Sequence, residues 1–286
     1  MRRAARSAIA LTITAAVIGG GIWGTHEYIQ RSQVFVSVEC DATISGLQHS
    51  LAPDQAANAA TVAAVAVGRG LPARATSIAL ATAYQESKLR NLSHGDTAGP
   101  DSRGLFQQRP SQGWGTQAQI MDPVYAAGAF YSELVKFDYQ HMSITQAAQK
   151  VQRSAFPDAY ADHEGMGRAY ASALTGQSPA ALTCSLRRST AAGKPSAVLT
   201  DLKREYGGRF SGAAGDSTVT VPVDSTAHGW AVAQWAVAHA QGHQSVRVSY
   251  AGQSWTRSRG TWEADPSASS AGRAVTIEVA TAAEQD

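Results

Sequence analysis

The sequence is poor in the residue types that mark several common functions. It has two cysteines in 286 residues, too few for a structural zinc site by themselves. Charged residues make up 16% of the chain and the formal net charge is +2, without the clustered basic face of a nucleic-acid-binding domain. No Gly-rich phosphate loop and no Gly-x-Ser-x-Gly elbow occurs, which removes the nucleotide-binding and serine-hydrolase patterns. His94-Gly-Asp96 and His239-x-x-x-His243 have the look of metal ligands, yet neither has a Glu or third ligand at recognisable spacing. His239 and His243 flank a helix end, where cations are favoured in any case, so no metal and no cofactor is expected. One short apolar run cannot build a transport path. There is no internal repeat and no low-complexity tract beyond an alanine bias.

What is present fills two ordinary domains after a targeting segment, with 44% hydrophobic residues to supply a core. Arg2, Arg3 and Arg6 precede an uncharged run from Ser7 to Gly24. Basic residues before an apolar segment keep the N-terminus inside and send the rest outside. The run falls slightly short of the about 20 residues of a spanning helix, and no clear Ala-x-Ala site follows it. It reads as an uncleaved membrane anchor, with a cleaved signal peptide as the alternative. Either way the bulk of the chain is expected outside the membrane. There, Cys40 and Cys184, one before the first helix of the next segment and one after its last, suggest a disulfide.

The expected organisation is an anchor or signal segment over 1–30 and a stalk over 31–49 with a strand-like Val34–Val38. A helical domain follows over 50–184, then a linker over 185–195 and a small α+β domain over 196–286. Pro53-Asp54 opens a helix that stops at Gly68-Arg69-Gly70. A second helix spans Ala73 to Leu89, with Ile78, Thr82, Glu86 and Leu89 on one face. Asp122-Pro123 and Ser143 cap two more, and Asp158 begins a last one through Leu174. Beyond the linker come a short helix at Ala197–Tyr206, a strong helix at Gly229–His239 and strand-like runs at Val219–Val223, Val246–Tyr250, Gln253–Arg257 and Ala274–Val279. Tyr250-Ala-Gly252 suits a hairpin turn.

Glu86 is the one charge on an otherwise apolar helix face. It precedes a polar loop and then Gly104-Leu105-Phe106-Gln107. A partly buried carboxyl with a raised pKa is what general acid catalysis near neutral pH requires. The pattern Glu86-Ser87-Lys88-Leu89 followed by Gly104-Leu105-Phe106-Gln107 resembles the lysozyme-like, soluble-lytic-transglycosylase type of peptidoglycan-cleaving domain, over about residues 50–175. The resemblance implies a mainly α, lysozyme-like catalytic domain with Glu86 as acid/base, the Gly-Leu-Phe-Gln turn lining the cleft, and Tyr160 near the acid. It also implies that the partner is the glycan strand and that the product is a 1,6-anhydromuramyl sugar. The C-terminal segment resembles those of actinobacterial exported proteins, which assigns it no role; a protein or wall partner is one use for it.

Individual residues keep two readings. Ser102 positions the acid or the sugar, or simply completes a turn. Gln107 bonds an N-acetyl or hydroxyl group, or stabilises its own turn. Tyr160 polarises the N-acetyl carbonyl or holds Glu86, or is a core ring. Phe106, Trp114 and Tyr84 are sugar-stacking walls or core. Trp230, Trp235, Trp255 and Trp262 together suit a ligand platform or the core of a small domain; Trp230 and Trp235 suit the core, and Trp255 stays open. Glycosidic cleavage commonly uses two carboxylates; Asp96, Asp101 and Asp122 are near in sequence, with Asp122 explained by capping. A hydrolase would need Asp96 or Asp101 to position water, and a non-catalytic wall-binding or assembly factor would need neither.

Overall fold

The computed structural model describes residues 37–281, except Asp96, Ala98, 153–156 and 269–270. The segment 1–30, with its anchor and leader readings, lies outside the described residues, as does most of Val34–Val38. Among the described residues no helix is long and apolar enough to cross a membrane.

Helix α1 (Pro53–Gly68) begins with proline at its first position, and Gln55 reaches back to accept the Ala52 amide at 2.9 Å. Its alanine-rich surface allows close packing on all sides. A Cβ on Gly68 would sit 2.4 Å from the Tyr206 carbonyl oxygen, so this helix end touches backbone from the C-terminal third. Helix α2 (Ala73–Ser87) is the centre of the helical layer. It ends on two successive left-handed residues, Lys88 and Leu89, which turn the Leu89 side chain back into the core.

Four helices follow: α3 (Gln117–Ile120), α4 (Pro123–Leu134), α5 (Ile144–Gln152) and α6 (Glu164–Leu174). Asp122 caps α4 by accepting the Val124 amide at 2.9 Å. Ser143 caps α5 in a reciprocal bond with Gln146. A 3₁₀ segment, Pro157–His163, precedes α6, where a single helix from Asp158 was expected. Gly167 brings α6 onto α2: a Cβ there would meet the Ser77 carbonyl at 2.8 Å.

The expected fold class, a mainly α lysozyme-like domain with a small α+β appendage behind a membrane segment, is overturned. The described residues hold nine α-helices and two sheets, one of three strands and one of six. Strand appears before the first helix, in the region expected as a stalk. There β1 (Glu39–Ile44) and β2 (Leu47–Leu51) form a hairpin, and β3 (Leu182–Ser185) pairs with β1 to give the order β2-β1-β3. Cys40 and Cys184 are register partners across β1 and β3 and form a disulfide.

The second sheet has the order β4-β5-β9-β6-β7-β8. Its strands are β4 (Ala213–Ala214), β5 (Thr218–Pro222), β6 (Ser245–Tyr250), β7 (Gln253–Thr256), β8 (Trp262–Ala264) and β9 (Ala274–Val279). Val219, Val221, Val248, Val275 and Ile277 alternate inward and are fully buried. Ala251 and Gly252 supply the two left-handed residues of the β6–β7 hairpin. Helices α7 (Pro195–Glu205), α8 (Thr226–Ala238) and α9 (Ala240–His243) complete the order.

Helix α8 is the reason the two halves of the sequence share a core. It packs against α1 and α6 as well as β3, β6 and β9, and Val38–Asp286 forms one compact unit. Its buried Gln234 donates to the Ala173 and Ser178 carbonyls at 2.7 and 3.1 Å and accepts from the Leu182 amide at 2.7 Å. That satisfies a buried amide and ties the end of α6 to β3. The outer edge of β3 is closed by indoles: Trp255 Nε1 donates to the Cys184 carbonyl at 3.2 Å and Trp262 Nε1 to the Leu182 carbonyl at 2.9 Å. The stretch 185–195 is tied down as well. Buried Arg257 donates to the Arg187, Ala240 and Ser245 carbonyls, and burial lowers the pKa of its guanidinium.

Candidate active site

Glu86 lies in the last turn of α2, where the helix macrodipole disfavours an anion. It is half-buried. Tyr160, delivered by the 3₁₀ segment, donates its hydroxyl to Glu86 Oε1 at 2.9 Å. Gln152, at the end of α5, bonds to Glu86 and also donates its amide to the Phe106 carbonyl at 2.8 Å. Burial raises the carboxyl pKa, while the bonds from Tyr160 and Gln152 pull it back; the net direction is upward. A carboxyl so placed keeps its proton to higher pH than a surface glutamate and can still lose it.

Ser87 couples this acid to the turn that follows. Its hydroxyl lies 2.7 Å from the Leu105 carbonyl and 3.0 Å from the Ala83 carbonyl. The turn needs its glycine: Gly104 has φ +77, and a Cβ there would be 2.5 Å from the Ile120 carbonyl. Gly104 is buried and donates its amide to the Leu92 carbonyl, so its part is structural. Phe106 is fully buried and stacked on Phe130, with ring centroids 4.7 Å apart; the ring belongs to the core and offers no wall to a sugar. Gln107, at φ +47, turns its amide onto the Gly104 carbonyl at 3.2 Å, the turn-stabilising alternative. Ser102 is buried, with its amide on the Gly99 carbonyl.

Tyr84 and Trp114 are only partly buried. Lys88 Nζ sits 4.7 Å over the Tyr84 ring, and His163 meets that ring edge-on at 4.8 Å. His163 also bonds Gln85 Oε1 through Nε2 at 2.8 Å, so the 3₁₀ segment is tied to the end of α2 at two adjacent residues. Burial and the nearby Lys88 charge lower the His163 pKa. Trp114 lines two hollows of about 840 and 470 Å³, the larger of which is also lined by Gln152.

The neighbouring carboxylates are engaged elsewhere. Asp101 accepts from the Ser111 amide at 3.1 Å and Arg109 Nε at 2.8 Å, bonds that hold its carboxyl far below the ordinary range. Asp122 is the α4 cap and also bonds Arg204. Asp96 lies outside the described residues.

His94 is exposed. His239 and His243 face carboxylates of α7: His239 Nε2 is 3.3 Å from Glu205 Oε2, and His243 Nε2 is 3.7 Å from Asp201 Oδ2. Burial would raise the Glu205 pKa, but His239, Trp235 and Thr61 hold it below the ordinary value. Burial and the neighbouring His239 push His243 down to about 4. The cluster fastens α7 to α8 and α9. Among the described residues no group of three or more His, Cys, Asp or Glu is arranged to hold a metal. Trp230, Trp235 and Trp255 are buried in the core.

Sequence reasoning did not find Gln152, His163, Gln85 or the buried Gln108, whose amide donates to the Ala126 carbonyl at 3.1 Å. No short motif carries them, because each acts through a contact far along the chain.

Tyr160→Phe tests the electrostatics directly. Its hydroxyl stabilises the Glu86 carboxylate, so losing it raises the Glu86 pKa further. If activity needs protonated Glu86, the alkaline limb of the pH–rate profile moves to higher pH, by about one unit for one lost bond. An unmoved limb would separate Tyr160 from the acid.

In comparisons with known proteins, no family model matches the chain, and no curated protein matches it.

Proposed function

We propose that this chain cleaves the glycan strands of peptidoglycan as a lytic transglycosylase, outside the cytoplasm, with Glu86 as its acid/base. The observation that carries the reading is a half-buried carboxyl of raised pKa, bonded by Tyr160 and Gln152 beside a glycine-dependent turn. A binding module needs a groove but has no use for such an acid. Export fits the basic-then-apolar N-terminus and a disulfide, which persists in oxidising compartments.

In the reaction, Glu86 gives its proton to the glycosidic oxygen as the C1–O bond breaks, with the neighbouring N-acetyl carbonyl assisting at C1. Glu86, now a carboxylate, takes the proton of the muramyl 6-hydroxyl as that oxygen closes on C1. The acid ends as it began, the ring product is a 1,6-anhydro sugar, and no water is consumed. A second carboxylate is not needed, in keeping with Asp101 and Asp122 being bonded elsewhere.

The test is mass spectrometry of muropeptides released from purified peptidoglycan by the full chain. Products one water lighter than hydrolysis products are expected. Reducing muramic ends would make the protein a hydrolase. No products, with wall binding intact, would leave a non-catalytic binding factor.

A further inference from the structure

We infer that His163 is a positioning residue for the acid: its bond to Gln85 seats the 3₁₀ segment Pro157–His163 so that the Tyr160 hydroxyl meets Glu86. The consequence for turnover rests on the glycan-cleaving reading. A 3₁₀ helix has about three residues per turn, so residues i and i+3 share a face. Tyr160 and His163 stand in that relation. Their partners on α2, Glu86 and Gln85, are neighbours in sequence. One turn of the segment therefore meets the end of α2 at two points, the acid and the residue before it.

Tyr160 bonds the acid itself, and a hydroxyl bond weakens steeply once its geometry opens. His163 holds the second point. Gln85 Oε1 can only accept, so the imidazole donates from Nε2, at 2.8 Å. The half-buried ring also meets Tyr84 edge-on at 4.8 Å. The charges acting on it are Lys88 from α2 and Asp162 from its own segment; burial and Lys88 favour the neutral ring. A neutral imidazole carries one ring proton, and the bond to Gln85 places it on Nε2. Helix α6 begins after His163 and is fixed on α2 further along, at Gly167. The backbone bonds of a short 3₁₀ turn are poor, so the tie at His163 decides where Tyr160 stands. His163 acts on the acid through Gln85 and the segment, and so positions rather than reacts.

The experiment is a double-variant cycle on the full chain that follows the Glu86 carboxyl carbon by NMR through a pH titration, with Glu86→Gln assigning its signal. His163→Phe keeps a ring against Tyr84 and removes the donor. It is expected to raise the Glu86 pKa by about half a pH unit, in the same direction as Tyr160→Phe. In a Tyr160→Phe background it should add nothing, because no hydroxyl is left to position. Gln85→Leu removes the same bond from the other side and leaves the imidazole in place, so it should copy the shift. His163→Gln, which can still donate, should restore most of the parent value. No shift in His163→Phe and Gln85→Leu would overturn the positioning role. So would a shift that persists in full without the Tyr160 hydroxyl, since that is a through-space charge effect. Where glycan is cleaved, the alkaline limb of the pH–rate profile moves with the Glu86 pKa. The non-additive shift in a protein that cleaves no glycan would keep His163 in its role and sink the enzyme reading. Cleavage that depends on Glu86, with its pKa unmoved in both variants, would do the reverse.

Discussion

Glu86→Gln is expected to abolish glycan cleavage, by at least about a thousandfold, while leaving the fold and substrate binding intact. General acid–base catalysis contributes roughly 10²–10⁴ in rate, and in the proposed cycle the same group acts twice, first as acid and then as base. Glutamine keeps the shape and can still accept the Tyr160 hydroxyl, so the change removes a proton and little else. A residual rate within tenfold of the parent would overturn the assignment of Glu86. The stability effect has a definite sign. The folded-state pKa is raised above the unfolded value, so the folded chain holds this proton more tightly. The destabilisation is fully present above the folded pKa and disappears as pH falls to the unfolded one. Glu86→Gln should therefore unfold at an equal or higher temperature at neutral pH, with any advantage shrinking as pH falls towards about 4 and gone below it. An inactive variant more stable than its parent is the behaviour of a strained functional group; an inactive variant that unfolds early would mean Glu86 is structural.

The parts of this molecule legible in the sequence are those set by neighbours along the chain. Asp122 and Ser143 announce their helices because capping is a contact over two or three residues. The β6–β7 hairpin is legible because Ala251-Gly252 sits between alternating strands. Glu86 stood out as a lone charge on an apolar face. The first sheet was hidden because Glu39–Leu51 alternates small and polar residues around Ser45-Gly46, and its apolar side is meaningful only once β3, some 140 residues later, is known to lie beside it. Phe106 stayed open between wall and core for a related reason: a ring next to the turn fits either role until Phe130 is found stacked on it. Gln152 carries no signal at all, since its worth lies in joining the Phe106 carbonyl to Glu86. The fold class failed at α8, whose all-round apolar surface reads as the centre of a small domain. It is instead the helix that both sheets and the helical layer share.

Removing the disulfide, by Cys40→Ser with Cys184→Ser, is expected to be strongly destabilising. The bond closes a sequence separation of 144, and loop-closure entropy alone sets an upper bound of about 5 kcal/mol. A realised loss of about 3 kcal/mol would lower Tm by on the order of 10 °C for a chain of this size. The local surroundings argue that most of the effect is realised. Both cysteines are fully buried, and the Cys40 and Cys184 carbonyls accept from the Tyr170 hydroxyl and the Trp255 indole. The bridge thus stands where α6, β1, β3 and β7 meet, and loosening it frees the β1–β3 pairing together with the edge that Trp255 and Trp262 close. Thermal unfolding of the double variant, and of the parent with and without reductant, measures this. A variant within about 2 °C of the parent would mean that α8 and its buried Gln234 already hold the halves together unaided. A large drop would make an oxidising environment a requirement for the site. β3 pairs beside the end of α6, and α6 packs on α2 and follows the 3₁₀ segment that brings Tyr160 to Glu86.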